Sequence, residues 1–308
     1  MDAVLMGHFI SNYLGAKAAS VFDRLNAVVR RFAPQILIGA LIIFLAGCFY
    51  SASRMGLNAD SIKIGPLAVL VMVFGPLSVL YAALGLVLLA KSADTSIPLR
   101  RAVAISASAT LAEILPMPGG AIVRTGALIA SGAPPMRSTL LVLVTAILWI
   151  SLATLGCGLA LFSNEVAVAP LLIALGGGGM ALTLAWLIRS AGSANACWTL
   201  GHRLAGMLLL ALRLKLAFLV LGLSVPLLDT FPFALAIIAG SAAGVVPAGL
   251  GLSEALAALL AGSVAIPSAF AFLAVAIDRL MCLGTSALAT LIVLPRRINS
   301  ITDGTVNS

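Results

Sequence analysis

The chain has 308 residues, of which 62% are apolar and 9% charged, with mean hydropathy +1.18 and formal net charge +8. A soluble domain carries about a quarter charged residues, so this composition excludes a water-soluble globule and points to lipid as the solvent. The positive charge is not a nucleic-acid signature: no aromatic-interleaved basic patch exists, and the basic residues cluster at the ends of apolar runs.

Residues 1–33 precede the first apolar run and carry both charge signs, unlike a cleavable signal peptide. Within them, "SVFDRLNAVVRRF" (20–32) sets Val21, Phe22, Leu25, Val28, Val29 and Phe32 on one helical face. Asp23, Arg24, Asn26, Arg30 and Arg31 fall on the other. This reads as an interfacial helix on an anionic leaflet, or as an amphipathic helix packed on the protein's own loops.

Six runs are long enough to cross a bilayer: about 34–50, 66–90, 137–162, 166–189, 207–228 and 268–294. Two further apolar stretches, 102–132 and 232–262, are broken in the middle by "LPMPGG" (115–120) and "VPAGLG" (246–251). Proline removes a backbone donor and glycine loosens the helix, so each half is too short to span. The expectation is an all-α polytopic membrane protein with six full crossings and two re-entrant broken hairpins. Backbone breaks at membrane depth survive only where they are buried in protein or line a wet cavity. The breaks themselves are Pro116, Pro118, Gly119 and Gly120 in the first hairpin and Pro247, Gly249 and Gly251 in the second.

The order crossing, crossing, broken hairpin, crossing occurs twice, dividing the chain into a first repeat (34–162), a second (163–295) and a cytoplasmic tail (296–308). Pro116 and Pro247 lie 131 residues apart, as do Gly120 and Gly251. Each half holds an odd number of crossings, so the second is inverted relative to the first, as in many transporters. With both termini cytoplasmic, Lys17, Lys91, Arg100, Arg101, Arg137, Arg189, Arg203 and Arg296 fall inside with most other basic residues. Arg54 and Lys63 alone fall outside, a strong positive-inside bias.

Ionisable groups at membrane depth are costly and need partners or water. The deep set is Glu113, Arg124, Arg213, Lys215, Glu254, Asp278 and Arg279. Arg213 and Lys215 are read as snorkelling to the near interface. Glu113 and Arg124 flank the first break, either as an ion pair closing the hairpin or with Arg124 free for a headgroup phosphate. Ser253 is a candidate cap for the half-helix after the second break, and Glu254 suits its positive end. Asp278 and Arg279 point about 100° apart and cannot share a partner, and Arg279 with Glu254 is the preferred pair. Cys48, Cys157, Cys197 and Cys282 form no close-spaced set, and His8 and His202 are isolated. No metal, cofactor or catalytic residue is expected.

"VVPAGLGLSEALAALLAG" followed by "AFAFLAVAIDRLM" resembles the second hairpin signature of the lysylphosphatidylglycerol synthase transmembrane family, the flippase domains of multiple peptide resistance factors and their stand-alone relatives. The matching residues are Gly249, Leu250, Gly251, Glu254 and Arg279. "LPMPGGAIVRTGAL" resembles the family's earlier element through Pro118, Gly119, Gly120 and Arg124. Ala248 stands in place of a proline, and Ala121 where relatives often carry a Glu, which implies a different headgroup. The resemblance implies a flippase-like translocator of a lipid with a phosphate-containing headgroup, in a bacterial inner membrane. No nucleic-acid partner is implied, and a homodimer is compatible with the layout. Two other readings stay open: an integral-membrane enzyme on a polyprenyl or glycolipid carrier, and a secondary transporter of a small anion. The short outer loops, with Asp60, Glu165 and Asp229 isolated, weigh against the enzyme.

Overall fold

The computed structural model describes residues 35, 38–56, 62–113, 119–162, 167–242 and 249–293. The amphipathic N-terminal segment, the tail, Pro116, Pro118 and Pro247 lie outside the described residues. Among the described residues every regular element is helical, and the protein is an all-α polytopic membrane protein.

In the first half, α1 (Ile38–Met55) and α2 (Ile64–Ser92) are followed by the short pair α3 (Leu99–Ala112) and α4 (Gly119–Ala130), then by α5 (Pro135–Phe162). In the second half, α6 (Ala169–Ala191) and α7 (Ser193–Val220) are followed by α8 (Phe231–Ala242) and α9 (Leu252–Leu260), then by α10 (Ser268–Val293). A 3₁₀ turn, Leu228–Thr230, leads into α8, and another, Ala261–Val264, extends α9. The exchange α1↔α6 through α5↔α10 reproduces the repeat expected from the order of apolar runs.

Among the described residues five helices, α1, α2, α5, α6 and α10, are long and apolar enough to cross a bilayer. The run expected to cross at 207–228 folds instead as the later part of α7, a longer helix that begins at Ser193 and ends at Val220 and is not one of those five. Its first half, "SANACWTLGHRLAG", looks like a loop by hydropathy, yet it holds no proline and folds as continuous helix. At the far end Gly222, at φ +84°, lets Leu223 N–H bond back to Phe218 O and stops the helix.

The paired short helices cannot span. At 14 and 12 residues, α3 and α4 reach only about 21 and 18 Å at 1.5 Å per residue, against a hydrocarbon core of about 30 Å. With 12 residues in α8 and 9 in α9, the second pair is no longer. Each pair packs arm against arm. In the second, Gly240 lies so close to Ser253 that a Cβ there would meet the Ser253 backbone N and Cα at 2.9 Å. Gly240→Ala is therefore expected to lower stability in detergent by about 1–3 kcal/mol, the usual cost of overpacking. Gly177→Ala, on a helix surface with open space around it, is expected to leave the melting temperature unchanged or raise it slightly.

Packing between the halves follows the exchange. The first hairpin's α3 packs on α10, and the second hairpin's α8 packs on α5. Likewise α2 touches α10 while α7 touches α5, and α2 and α7 meet each other. Burial repeats too: half of the spanning window is buried in both α5 and α10, against 17% in both α1 and α6. The two last crossings are thus the core, each clasped by the other half's hairpin. The outer helices show lipid-facing side chains such as Ile42, Ile43, Phe49, Leu171, Leu175 and Leu182. The α5–α6 seam is closed by small residues, with Gly176 against the Leu155 backbone and Gly179 against Ser151.

Two sets of contacts sort the helix ends onto opposite faces. Arg137, at the start of α5, pairs with Asp94 and donates to Ser92 O at the end of α2 (2.9 Å) and to Ser190 O at the end of α6 (3.5 Å). On the other face Lys63 N–H, before α2, donates to Val220 O at the end of α7 at 2.9 Å. This is the alternation that antiparallel successive crossings require. Inside α2, Pro76 supplies no N–H to the turn before it, and residues Leu70–Phe74 widen into a π-helical segment.

Candidate functional site

Charged and polar groups gather where the two hairpins meet α10, α2 and α7. In the second hairpin the chain re-enters helix after Gly251, at φ +81°. The Glu254 carboxylate folds back on this start, and its Oε2 accepts the Gly251 N–H at 2.7 Å, satisfying one orphan donor of the half-helix. Its other oxygen, Oε1, stands 3.5 Å from Arg279 Nε on α10. Glu254 is fully buried and the Arg279 side chain is only 7% exposed. Arg279 Nη2 also donates to Ser253 Oγ at 2.6 Å. Ser253 is therefore no cap, contrary to expectation. It sits inside the first turn, where its hydroxyl is taken up by Arg279 and Ile237 O, and capping is left to Glu254.

Asp278, one residue earlier, turns to α7. Arg213 grips it with both ends of the guanidinium fork, Nε to Oδ1 at 2.8 Å and Nη2 to Oδ2 at 2.6 Å. Its Nη1 donates to Ser78 Oγ on α2 at 3.1 Å. The snorkelling expectation for Arg213 is overturned. Arg213 lies inside α7, short of its end at Val220, and its guanidinium is turned to a buried carboxylate of α10. The adjacent Asp278 and Arg279 face different partners, as their 100° separation requires.

In the first hairpin Glu113 closes α3, and Arg124 lies on α4 across from it, at 3.6 Å. Both side chains are about a third exposed, at 38% and 32%. This pair is looser and more open than the one in the second hairpin. Gly120 keeps it in place, since a Cβ there would strike Glu113 Oε1 and Cγ. The charges of both Arg124, on the first hairpin, and Arg279, on α10, act on Glu113.

A further cluster was not foreseen. Arg203 was placed in a cytoplasmic flank, but it is the eleventh residue of α7. Its guanidinium lies 5.5 Å from the Trp149 ring centroid on α5, beside Tyr81 of α2. Tyr81 stacks on His202, with centroids 4.1 Å apart and planes within 5°, and His202 Nε2 lies 3.0 Å from Tyr81 O. The charge of Arg124, on the first hairpin, acts on both Arg203 and Tyr81. The missed signal was the absence of any helix breaker between Ser193 and Arg203.

Among the described residues no group of His, Cys, Asp or Glu could hold a metal ion. What the site offers is a chain of guanidiniums and carboxylates across the middle of the bundle, open at Arg124 and sealed at Glu254. Compared with family models, curated proteins and solved structures, the chain matches none of them.

Proposed function

We propose that this membrane protein translocates a lipid with an anionic, phosphate-containing headgroup, in the manner of a flippase, with the two broken hairpins forming its path. In this reading it sits in a bacterial inner membrane with both termini cytoplasmic. The observation that supports it most is the position of Glu113, paired with Arg124 in one hairpin and within the field of Arg279, which is itself bound to the other. A phosphate displacing Glu113 from Arg124 would meet a cation that is already partly open. It could then pass toward Arg279 without leaving a field of positive charge. The tails stay in the bilayer, where the exposed apolar surface of the outer helices lies. The hairpin motifs around Gly120 and Gly251 resemble those of lipid-translocating proteins, which favours lipid over a small free anion.

The test is reconstitution of the full chain in vesicles with a headgroup-labelled anionic phospholipid and an impermeant quencher. The protein is expected to speed movement between leaflets, and Arg124→Ala to slow it by about tenfold or more while the variant still folds, one lost charge-assisted contact being worth about that factor. Uptake of inorganic phosphate with no lipid movement would replace this reading by that of an anion transporter. Equal rates for wild type and Arg124→Ala would remove Arg124 from the path.

A further inference from the structure

The exchange of the two halves sets two polar clusters side by side for comparison. One is built on α7, α2 and α10, where Arg213 of α7 meets Ser78 of α2 and Asp278 of α10. Its counterpart is built on α7, α2 and α5, where Arg203 of α7 meets Tyr81 of α2 and Trp149 of α5. In the first cluster the last crossing supplies a carboxylate, held by two short hydrogen bonds. In the second it supplies an indole face. Among the described residues Arg203 forms no ion pair with any carboxylate.

A guanidinium inside a membrane bundle costs several kcal/mol unless an anion or water compensates it. The Trp149 face offers only a weak, partial substitute at 5.5 Å. The charged side chain that acts on it is another cation, Arg124, whose field opposes its charge. The Tyr81 hydroxyl faces the same place. It is buried, has no acceptor for its own proton, and lies within hydrogen-bonding reach of the Arg203 guanidinium. Its ring is held by the His202 stack and cannot easily turn to find one. Gly206, one turn along α7 from Arg203, lies against that hydroxyl with no Cβ to block it. Arg203 and the Tyr81 hydroxyl thus lie side by side, and Arg124, which faces Glu113 at 3.6 Å, is the further cation that acts on both.

We infer that Arg203, Arg124 and the Tyr81 hydroxyl form an anion-binding site between α2, α4, α5 and α7, which takes a tetrahedral oxyanion of the phosphate class. The planar fork of Arg203 suits two oxygens of a phosphate, Tyr81 donates to a third, and Arg124 neutralises the second charge as Glu113 lets go. Trp149 braces Arg203 from behind and keeps its fork facing the site. The oxyanion comes either on a lipid headgroup or free in water. The lipid alternative rests on the proposed translocation, while the site itself does not.

The experiment uses the purified full-length chain in neutral detergent. Dihexanoyl phosphatidic acid, inorganic phosphate and dihexanoylglycerol are titrated separately, with thermal stability and tryptophan fluorescence as readouts. The phosphatidic acid is expected to stabilise the wild type and the neutral glyceride to do nothing. Arg203→Gln is expected to weaken binding by about tenfold or more, Arg203→Lys by less, and Tyr81→Phe by about two- to fivefold. Arg189→Gln, an exposed loss of the same charge, is expected to change nothing. Should Arg203→Gln not fold, Arg203→Lys and Tyr81→Phe carry the test. Wild-type affinity in the folded Arg203 and Tyr81 variants overturns the site, as does a wild type that binds neither phosphate compound. Arg203-dependent binding of inorganic phosphate without the lipid upholds the site and removes the lipid reading. In the vesicle assay, lipid movement at the wild-type rate in Arg203→Gln upholds translocation and removes this site from its path.

Discussion

Asp278→Asn is expected to destabilise the protein by about 3–5 kcal/mol, the largest loss for any single change in the bundle. The reason is the grip of Arg213, two hydrogen bonds of 2.8 and 2.6 Å to a carboxylate that is 2% exposed. An asparagine keeps the volume but leaves the guanidinium buried without its countercharge. Ser78, the other partner of Arg213, is a neutral acceptor and cannot replace it. The desolvation cost of the pair sets the sign of a second result. Replacing both ends with apolar residues of similar size, Arg213→Met with Asp278→Leu, is expected to restore most of the loss, since buried pairs often give way to hydrophobic packing without penalty. Thermal melting of the two single variants and the double in detergent reads both effects. A double variant as unstable as the sum of the singles would mean that the pair fixes the α7–α10 contact in a way that packing cannot replace.

Glu254 and Arg279 are expected to be strongly coupled, at the next largest magnitude. Glu254→Gln takes from Arg279 the carboxylate that faces it across the second hairpin, and Arg279→Gln leaves a fully buried carboxylate with the Gly251 N–H. Each single change is expected to cost about 3 kcal/mol, and the double variant distinctly less than the sum. The contact is longer than that of Arg213, at 3.5 Å, and Glu254 Oε1 makes no hydrogen bond to add to it. The coupling is therefore expected to be smaller than for Arg213 and Asp278. A double-mutant cycle for each pair in the same detergent gives the comparison, and strict additivity of Glu254→Gln with Arg279→Gln would end the idea that α9 and α10 are locked by charge.

The two cycles also mark how far the sequence could be read. The hairpins were legible because proline and glycine inside an apolar run have few other uses, and the repeat because the same order of elements occurs twice. The Glu254–Arg279 pair followed from the cost of a charge at depth together with similar positions along their helices, while Glu113 and Arg124, flanking the first break, left an ion pair and a headgroup contact equally open. The reading failed at α7. Hydropathy starts a crossing where the greasy residues start, so the polar turns from Ser193 to Arg203 looked like a loop. That single shift put Arg213 near a helix end and Arg203 in a flanking loop, and hid both of their clusters. Helical continuity was visible in the lack of breakers, but nothing in one sequence says that Tyr81 and Trp149 would meet Arg203 from α2 and α5. Such contacts depend on which helices cross, and that is decided by the packing of whole faces.

The account stands on an anionic headgroup passing between the two hairpins, and photocrosslinking measures this most directly. A phosphatidic acid analogue with a photoactivatable group at the phosphate would be added to the full-length protein in vesicles, and the labelled peptides mapped by mass spectrometry. The predicted result is labelling concentrated in 119–130, around Arg124, and in the stretches holding Tyr81 and Arg203, with competition by unlabelled anionic lipid. Labelling spread over the lipid-facing sides of α1 and α6, at residues such as Ile42 and Leu175, and unaffected by that competitor, would contradict it.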